Sequence, residues 1–213
     1  MNKNIVSTIF TILALVFIII ALFGVWYSGN QKISLSGFEI ENGFDIHLNS
    51  IEGRVVNDGG DLETQSESIS ELREQYKEAG MDTGFLDVID TTFIITIIGL
   101  VFAILAFIFA ALSFFKPKIQ KIAGILSILL FVFALIAPIY FMIGYSDYLD
   151  EQIESWGTSS EISDLGFWYS KSVSGGEISM GPGYAWYLIL IGAVFGLIAA
   201  ITLFLKQKVT VMS

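Results

Sequence analysis

Asp147, Asp150, Glu151 and Glu154 are the residues of this chain best placed to do chemistry together. Their i, i+3, i+4, i+7 spacing puts four carboxylates on one face of a helix. Carboxylate oxygens gathered in this way are what Ca²⁺ requires, and the same concentration of negative charge suits a basic protein surface. No calcium-loop signature accompanies them, so a solvated helix face is the plain alternative. His47 is the single histidine. It sits in an alternating stretch with no nucleophile at a recognisable spacing, so general acid–base chemistry lacks a second member. With no cysteine in the chain, thiol catalysis, Cys-ligated zinc and iron–sulfur clusters are excluded. Gly-rich phosphate loops, basic nucleic-acid patches and serine-hydrolase elbows are absent from the sequence. The expectation is a non-enzymatic protein with no catalytic residue, no cofactor and no nucleic-acid partner.

The elements that would position the acidic residues follow from hydropathy. The 213 residues are 54% hydrophobic, and mean hydropathy is +0.71. That is too apolar for an ordinary soluble domain. Four runs reach the roughly 20 residues needed to cross a hydrocarbon core of about 30 Å. These are Ile5–Tyr27, Thr91–Phe115, Ile122–Tyr145 and Tyr184–Leu205, and none contains Asp, Glu, Lys, Arg or His. Backbone groups in lipid have no water to bond, so each run is expected to be a helix. A cleaved signal peptide is the rival for the first run. That run is long for such a segment, and no small-residue cleavage site follows it, so a retained helix is expected.

All 21 carboxylates fall in the two long connections, fourteen within residues 28–90 and seven within 146–183. Lys3, the turn at 116–121 with Lys116, Lys118 and Lys121, and the tail at 206–213 with Lys206 and Lys208 carry only positive charge. Short Lys-rich segments stay in the cytoplasm. The expected arrangement is a multi-pass cell-membrane protein with both termini cytoplasmic and both acidic loops outside. Five bases against 21 acids leave the outer loops at −16; the six inner lysines bring the total to the net charge of −10. The Lys116–Lys121 turn also suits anionic lipid headgroups, although the orientation rule alone accounts for it. The apolar runs lack ionisable residues, which makes a single copy a poor pump. An oligomeric pore stays open, because rings of carboxylates at a mouth select cations.

Within the outer loops the pattern changes. Phe44, Ile46 and Leu48 alternate with Asp45, His47 and Asn49, the pattern of a half-buried strand. Ile33, Leu35 and Phe38–Ile40 alternate imperfectly, and Ile51 with Val55-Val56 suggests another strand. Glu41-Asn42-Gly43 reads as a hairpin turn, and Asn57-Asp58-Gly59-Gly60 as the end of the sheet. A short helix is predicted over Glu67–Ala79, with a capping box in Ser68-Ile69-Ser70-Glu71 and Gly80 as its stop. Asp90-Thr91-Thr92 is expected to cap the second long helix. The second outer loop should prolong the third helix, then turn at Trp156-Gly157, Gly166–Tyr169 and Gly175-Gly176 around a short strand or two. Gly181-Pro182-Gly183 should break the chain before the fourth helix. Trp26 and Tyr27, and likewise Trp186 and Tyr187, read as anchors at the membrane–water interface. Gly192, Gly196 and Ala200 form a small-residue ridge for close helix packing, expected within one bundle. Pro138 should loosen the third helix.

Four helices, a long first outer loop with strands and a short helix, and a shorter second loop together resemble the claudin-like membrane protein superfamily. Trp26 sits where that family commonly has a Trp. The resemblance implies a four-helix bundle capped by a small extracellular sheet built from both outer loops. The family's Cys pair and loop-one Trp signature are missing. Such a sheet would therefore rely on Phe38, Ile40, Phe44, Ile46 and Val55 packing against Phe167 and Trp168. The expected fold is an all-α transmembrane four-helix bundle with a small extracytoplasmic α+β domain.

The expected role is a structural or accessory subunit that packs in the lipid bilayer, by itself or with its own copies. Its acidic outer face would be offered to a protein partner, or to cations. One alternative is a subunit of an oligomeric channel or transport assembly. Another is a non-catalytic subunit of a membrane enzyme complex.

Overall fold

The computed structural model describes residues 3–35, 38–56, 62–155, 167–173 and 176–205. Its elements run α1 (Lys3–Phe23), β1 (Tyr27–Leu35), β2 (Phe38–Ile46), β3 (Ser50–Val56), β4 (Leu62–Ser68), α2 (Ile69–Glu78), α3 (Gly84–Leu112), α4 (Gln120–Ser155), β5 (Tyr169–Val173), β6 (Gly176–Pro182) and α5 (Tyr184–Phe204). A 3-10 turn, Pro117–Ile119, precedes α4. Four of these helices are long and apolar enough to cross a membrane. The chain divides into two compact units. The first comprises Met1–Ile20, Ile95–Ile136 and Leu188–Ser213; the second comprises Ala21–Ile94 and Ala137–Tyr187.

The first unit is made of segments of α1, α3, α4 and α5. Its interior is lined with small and hydroxyl-bearing side chains, among them Ser7, Thr11, Ala14, Ala103, Ala106, Ala110, Ala123, Ser127 and Ala134. Large aliphatic side chains point outward, as at Ile9, Val16, Ile104, Ile125, Val194 and Ile201. That distribution is the reverse of a water-soluble domain, where large apolar side chains fill the interior. Small residues let the backbones approach closely. A Cβ added at Gly192 would stand 3.4 Å from Ala14 O of α1, and one at Gly196 would stand 3.0 Å from Leu130 of α4. Ala200 is buried as well. The Gly192–Gly196–Ala200 ridge therefore lies inside the unit. Gly99 of α3 faces Phe133 and Ala134 of α4, and Asn4 Nδ2 of α1 donates to Ser113 O just past α3. Ser7, Thr11, Ser127 and Thr202 donate to carbonyls of their own helices three or four residues back, as Ser and Thr within helices do.

The second unit holds a six-stranded antiparallel sheet in the order β4-β3-β2-β1-β6-β5. Both long connections contribute strands. β1, from the first, pairs with β2 on one side and with β6, from the second, on the other. α2 begins at the predicted capping box: Ser68 Oγ accepts the Glu71 N–H, and Glu71 Oε2 accepts the Ser68 N–H at 3.1 Å. Gly80 adopts φ +67° just past the helix, as a C′ glycine does.

Several boundaries differ from expectation. The first helix ends at Phe23, not Tyr27. Beyond it the backbone bridges the strand region: the Trp26 N–H donates to Ile46 O, and Trp26 O accepts the Gly183 N–H. Tyr27–Leu35 is thus the central strand of the sheet. Glu41-Asn42-Gly43 is not a turn; it lies within β2, paired with Lys32, Gln31 and Asn30. The Asn57–Gly60 stretch lies outside the described residues, and the sheet continues past it in β4, whose polar composition hid it. Gly176, expected in a turn, is the first residue of β6 and pairs with Ile33.

The second long helix begins at Gly84, seven residues before Thr91. Asp82 Oδ1 accepts the Gly84 N–H, and Phe85, Leu86 and Ile89 are buried on the added turns. Thr92, expected in a cap, instead donates to Val88 O from within the helix. The turn at Trp156-Gly157 and the tail with Lys206 and Lys208 lie outside the described residues.

Candidate functional site

Strict antiparallel register gives the sheet two chemically distinct faces, because successive side chains alternate sides. One face carries Tyr27, Phe44, Ile46, Ile51, Ile178 and Met180, with Gln31, Asn42 and Lys171 farther along it; the other is polar and charged along β1 and its neighbours. On the apolar face, Phe44 lies directly across from Gly29, and a Cβ there would collide with its ring. The missing side chain lets the Phe44 ring lie over β1, stacked towards Tyr27 at 6.3 Å. Tyr27 in turn meets Tyr145 at 4.3 Å and Phe167 at 5.2 Å. Trp26 packs on Phe141 at 5.6 Å. These rings form a closed aromatic core.

Three of the four residues expected as interface anchors, Trp26, Tyr27 and Trp186, are buried. Trp26 and Tyr27 are both 0% exposed. Trp26 Nε1 donates to Ala21 O at 2.7 Å, satisfying a carbonyl in the last turn of α1, where intrahelical partners run out. Trp186 is buried and donates to Pro138 O at 2.9 Å. Of the four, only Tyr187 is exposed. It stands beside Trp168, which is 56% exposed and whose Nε1 lies 3.5 Å from the Tyr187 hydroxyl. Tyr184 is exposed as well. The two buried indoles thus both pair their ring N–H with a backbone carbonyl. Burial pushes the Tyr27 hydroxyl well above the ordinary phenol range, and the adjacent Tyr145 hydroxyl offsets this only in part.

The polar face is built on β1. Ser28, Asn30 and Lys32 stand across from Asp45, Gly43 and Glu41 of β2, and across from Gly181, Ser179 and Glu177 of β6. Glu52 and Arg54 of β3 complete the row beside Asp45 and Gly43. Arg54 binds Asp45 Oδ1 at 3.0 Å and reaches Asn30 Oδ1 at 3.4 Å. Gly43 permits this: a Cβ there would stand 2.7 Å from Asn30 Oδ1 and 3.4 Å from Arg54. Lys32 stands between Glu41 and Glu177. Asp45 and Glu52 are like charges directly opposite each other, an arrangement that destabilises a sheet. Arg54 engages Asp45, and among the described residues no ion pair reaches Glu52. An open cavity of about 460 Å³ adjoins the row, floored by Ser28, Asn30, Ser170 and Ser179 and walled by Trp168.

Asp147 and Asp150 are exposed on α4; the side chains of Glu151 and Glu154 lie outside the described residues. No group of three or more potential metal ligands occurs among the described residues. His47 Nδ1 sits 3.4 Å from Phe23 O, near the end of α1. Of the residues expected to hold the sheet together, Ile46 and Phe167 are buried, and Phe44 is half-buried beside Tyr27. Val55 is largely exposed, and Trp168 packs on Phe167 and Trp186. The side chains of Phe38 and Ile40 lie outside the described residues. Sequence reasoning missed Arg54, Asn30 and Glu52 as a group. Their one sequence signal was a glycine, Gly43, in an alternating stretch. A comparison with models of known protein families finds none that matches the chain, and a comparison with curated proteins finds no match.

Proposed function

We propose that this is a non-enzymatic multi-pass membrane protein that acts as a structural or accessory subunit. In this reading the four long helices sit in the bilayer, the lysine-bearing ends face the cytoplasm, and the sheet faces outward. The outward face is acidic and is offered to a protein partner with basic side chains. The small-inside, large-outside distribution in the first unit supports lipid as the solvent of the helices. The order of elements, with one sheet shared by both connections, is in keeping with the claudin-like resemblance, which we retain as part of this proposal.

The observation that carries the partner reading is the Asp45–Glu52 cross-strand pair on the polar face. Arg54 offsets Asp45, while among the described residues no ion pair reaches Glu52. A partner lysine or arginine seated against Glu52 and Glu41 would relieve that repulsion. The row is open, and charged groups at a rim steer association in a salt-dependent way.

The test compares the full chain with a Glu41→Gln, Glu52→Gln variant, both purified in mild detergent. Mass spectrometry at low and high salt would identify what stays bound. The expected result is a bound protein retained by the parent at low salt, released at high salt, and lost from the variant. Equal retention by both chains would refute the acidic-face reading. Ion flux from the purified chain alone in vesicles would move the assignment to a channel assembly.

A further inference from the structure

At one end of the first unit, three exposed lysines share a six-residue turn: Lys116, Lys118 and Lys121. No Asp or Glu occurs anywhere between Asp90 and Asp147 in sequence, and none occurs in the first unit. Among the described residues of its unit the turn has no acidic side chain to pair with. Directly before Lys116 stands Phe115, which is 83% exposed and the most exposed large hydrophobic residue among those described. Phe114 beside it is exposed too.

The turn is held in place at both ends. Asn4 Nδ2 of α1 donates to Ser113 O at 3.2 Å. Gln120 Nε2 donates to Leu203 O in the last turn of α5, where carbonyls lack intrahelical partners. Within the turn, the Lys116 N–H donates to Leu112 O and the Ile119 N–H to Lys116 O. Three cations are thus fixed on a braced segment, next to an aromatic ring that no part of the unit covers. Membrane sidedness accounts for the three lysines, and Phe115 beside them is the last residue of the apolar run, so cations and an exposed ring meet at one point of the chain.

We infer that the Phe115–Lys121 turn is a binding site for an anionic phospholipid. The lysines take the phosphate of the headgroup, and the Phe115 ring lies among the upper acyl carbons. The inference rests on the membrane placement proposed above. Each lysine near an anionic surface contributes about 1 kcal/mol. Three together correspond to a preference for anionic over zwitterionic lipid on the order of 100-fold.

The test places the full chain in nanodiscs of mixed phosphatidylglycerol and phosphatidylcholine and counts the lipids retained by native mass spectrometry. Phosphatidylglycerol should be retained preferentially, and added salt should weaken the preference. Lys116→Gln, Lys118→Gln and Lys121→Gln together should abolish it. Singly, each should reduce it about fivefold, and Lys→Arg at the same positions should preserve it. Phe115→Ser should shorten retention of phosphatidylglycerol while leaving the charge preference. Equal retention of both lipids by the parent chain would overturn the site, and so would an undiminished preference in the single and triple Gln variants. Displacement by inorganic phosphate would assign the turn to a free anion and overturn the lipid assignment. Failure of the chain to enter nanodiscs at all would remove the membrane placement itself, which is a separate and recognisable outcome.

Discussion

Replacing Trp26 by Phe tests the aromatic core most directly. The substitution keeps an aromatic ring but removes Nε1–H, the donor to Ala21 O at 2.7 Å. The carbonyl left behind is in the last turn of α1 and is shut off from water by the same core. An orphaned buried acceptor costs about 1–3 kcal/mol. The smaller ring also leaves a void beside Phe141, worth about 1 kcal/mol more. The expected loss is therefore roughly 2–4 kcal/mol. Trp168→Phe is the control, because that ring is half in solvent and its nitrogen makes only a long contact. Its cost should stay below about 1 kcal/mol. Unfolding by SDS titration in mixed micelles, followed by near-UV circular dichroism, measures both. Acrylamide quenching gives an independent reading: Trp26→Phe should remove shielded emission, and Trp168→Phe accessible emission. Equal destabilisation by the two variants, or quenchable emission from Trp26, would refute the buried-cap assignment and return Trp26 to the surface.

Gly183→Ala should destabilise by more than about 2 kcal/mol, because the new Cβ would press on the backbone of Val25, which cannot swing away. Gly181→Ala meets only an ordinary contact with Trp168 and should be near neutral in the same SDS titration. Ser68→Ala removes the N-cap of α2 and should cost about 1 kcal/mol locally, seen as faster amide exchange in the first turn of α2 alone. Hydrogen bonds from the Ser68 side chain and backbone hold the Glu71 carboxyl below its usual range. A depressed folded-state pKa stabilises above the unfolded value and stops doing so as pH falls through the folded one. Order in α2, read by carbon chemical shifts, should accordingly decline on acidification below the ordinary glutamate range and hold constant at neutral pH. Arg73→Gln removes ion pairs to Asp87 at 2.5 Å and Asp90 at 2.6 Å. Because both aspartates are substantially exposed, the loss should be only about 1 kcal/mol. It should shrink in high salt, as followed by exchange protection at the start of α3.

The helices were legible because the signal for each is local. A long uncharged apolar run needs no partner to be recognised, and the capping box and stop of α2 are contiguous sequence features. The strand Phe44–Ile46 was legible for the same reason, since its alternation lies within a few residues. β1 was not. Its first residues, Tyr27 and Ser28, follow a hydrophobic run without interruption, and its identity as a strand depends on β6, about 150 residues away in the chain. β4 is polar after Leu62 and becomes a strand by pairing with β3. The early start of α3 was hidden by Asp87 and Asp90, which looked like loop residues until Arg73 was placed opposite them.

Composition and charge order alone determined that this chain has four apolar helices separated by two acidic connections and one lysine turn, because hydropathy is a property of each segment by itself. Tertiary structure decided which aromatic rings are interior, which glycines are indispensable, and which charges face one another. Trp26 looks like a surface anchor until the end of α1 and the arrival of β6 enclose it. Gly43 looks like a turn until Arg54 and Asn30 meet above it. Those outcomes depend on strand register, and register is set by partners that no local window of sequence contains.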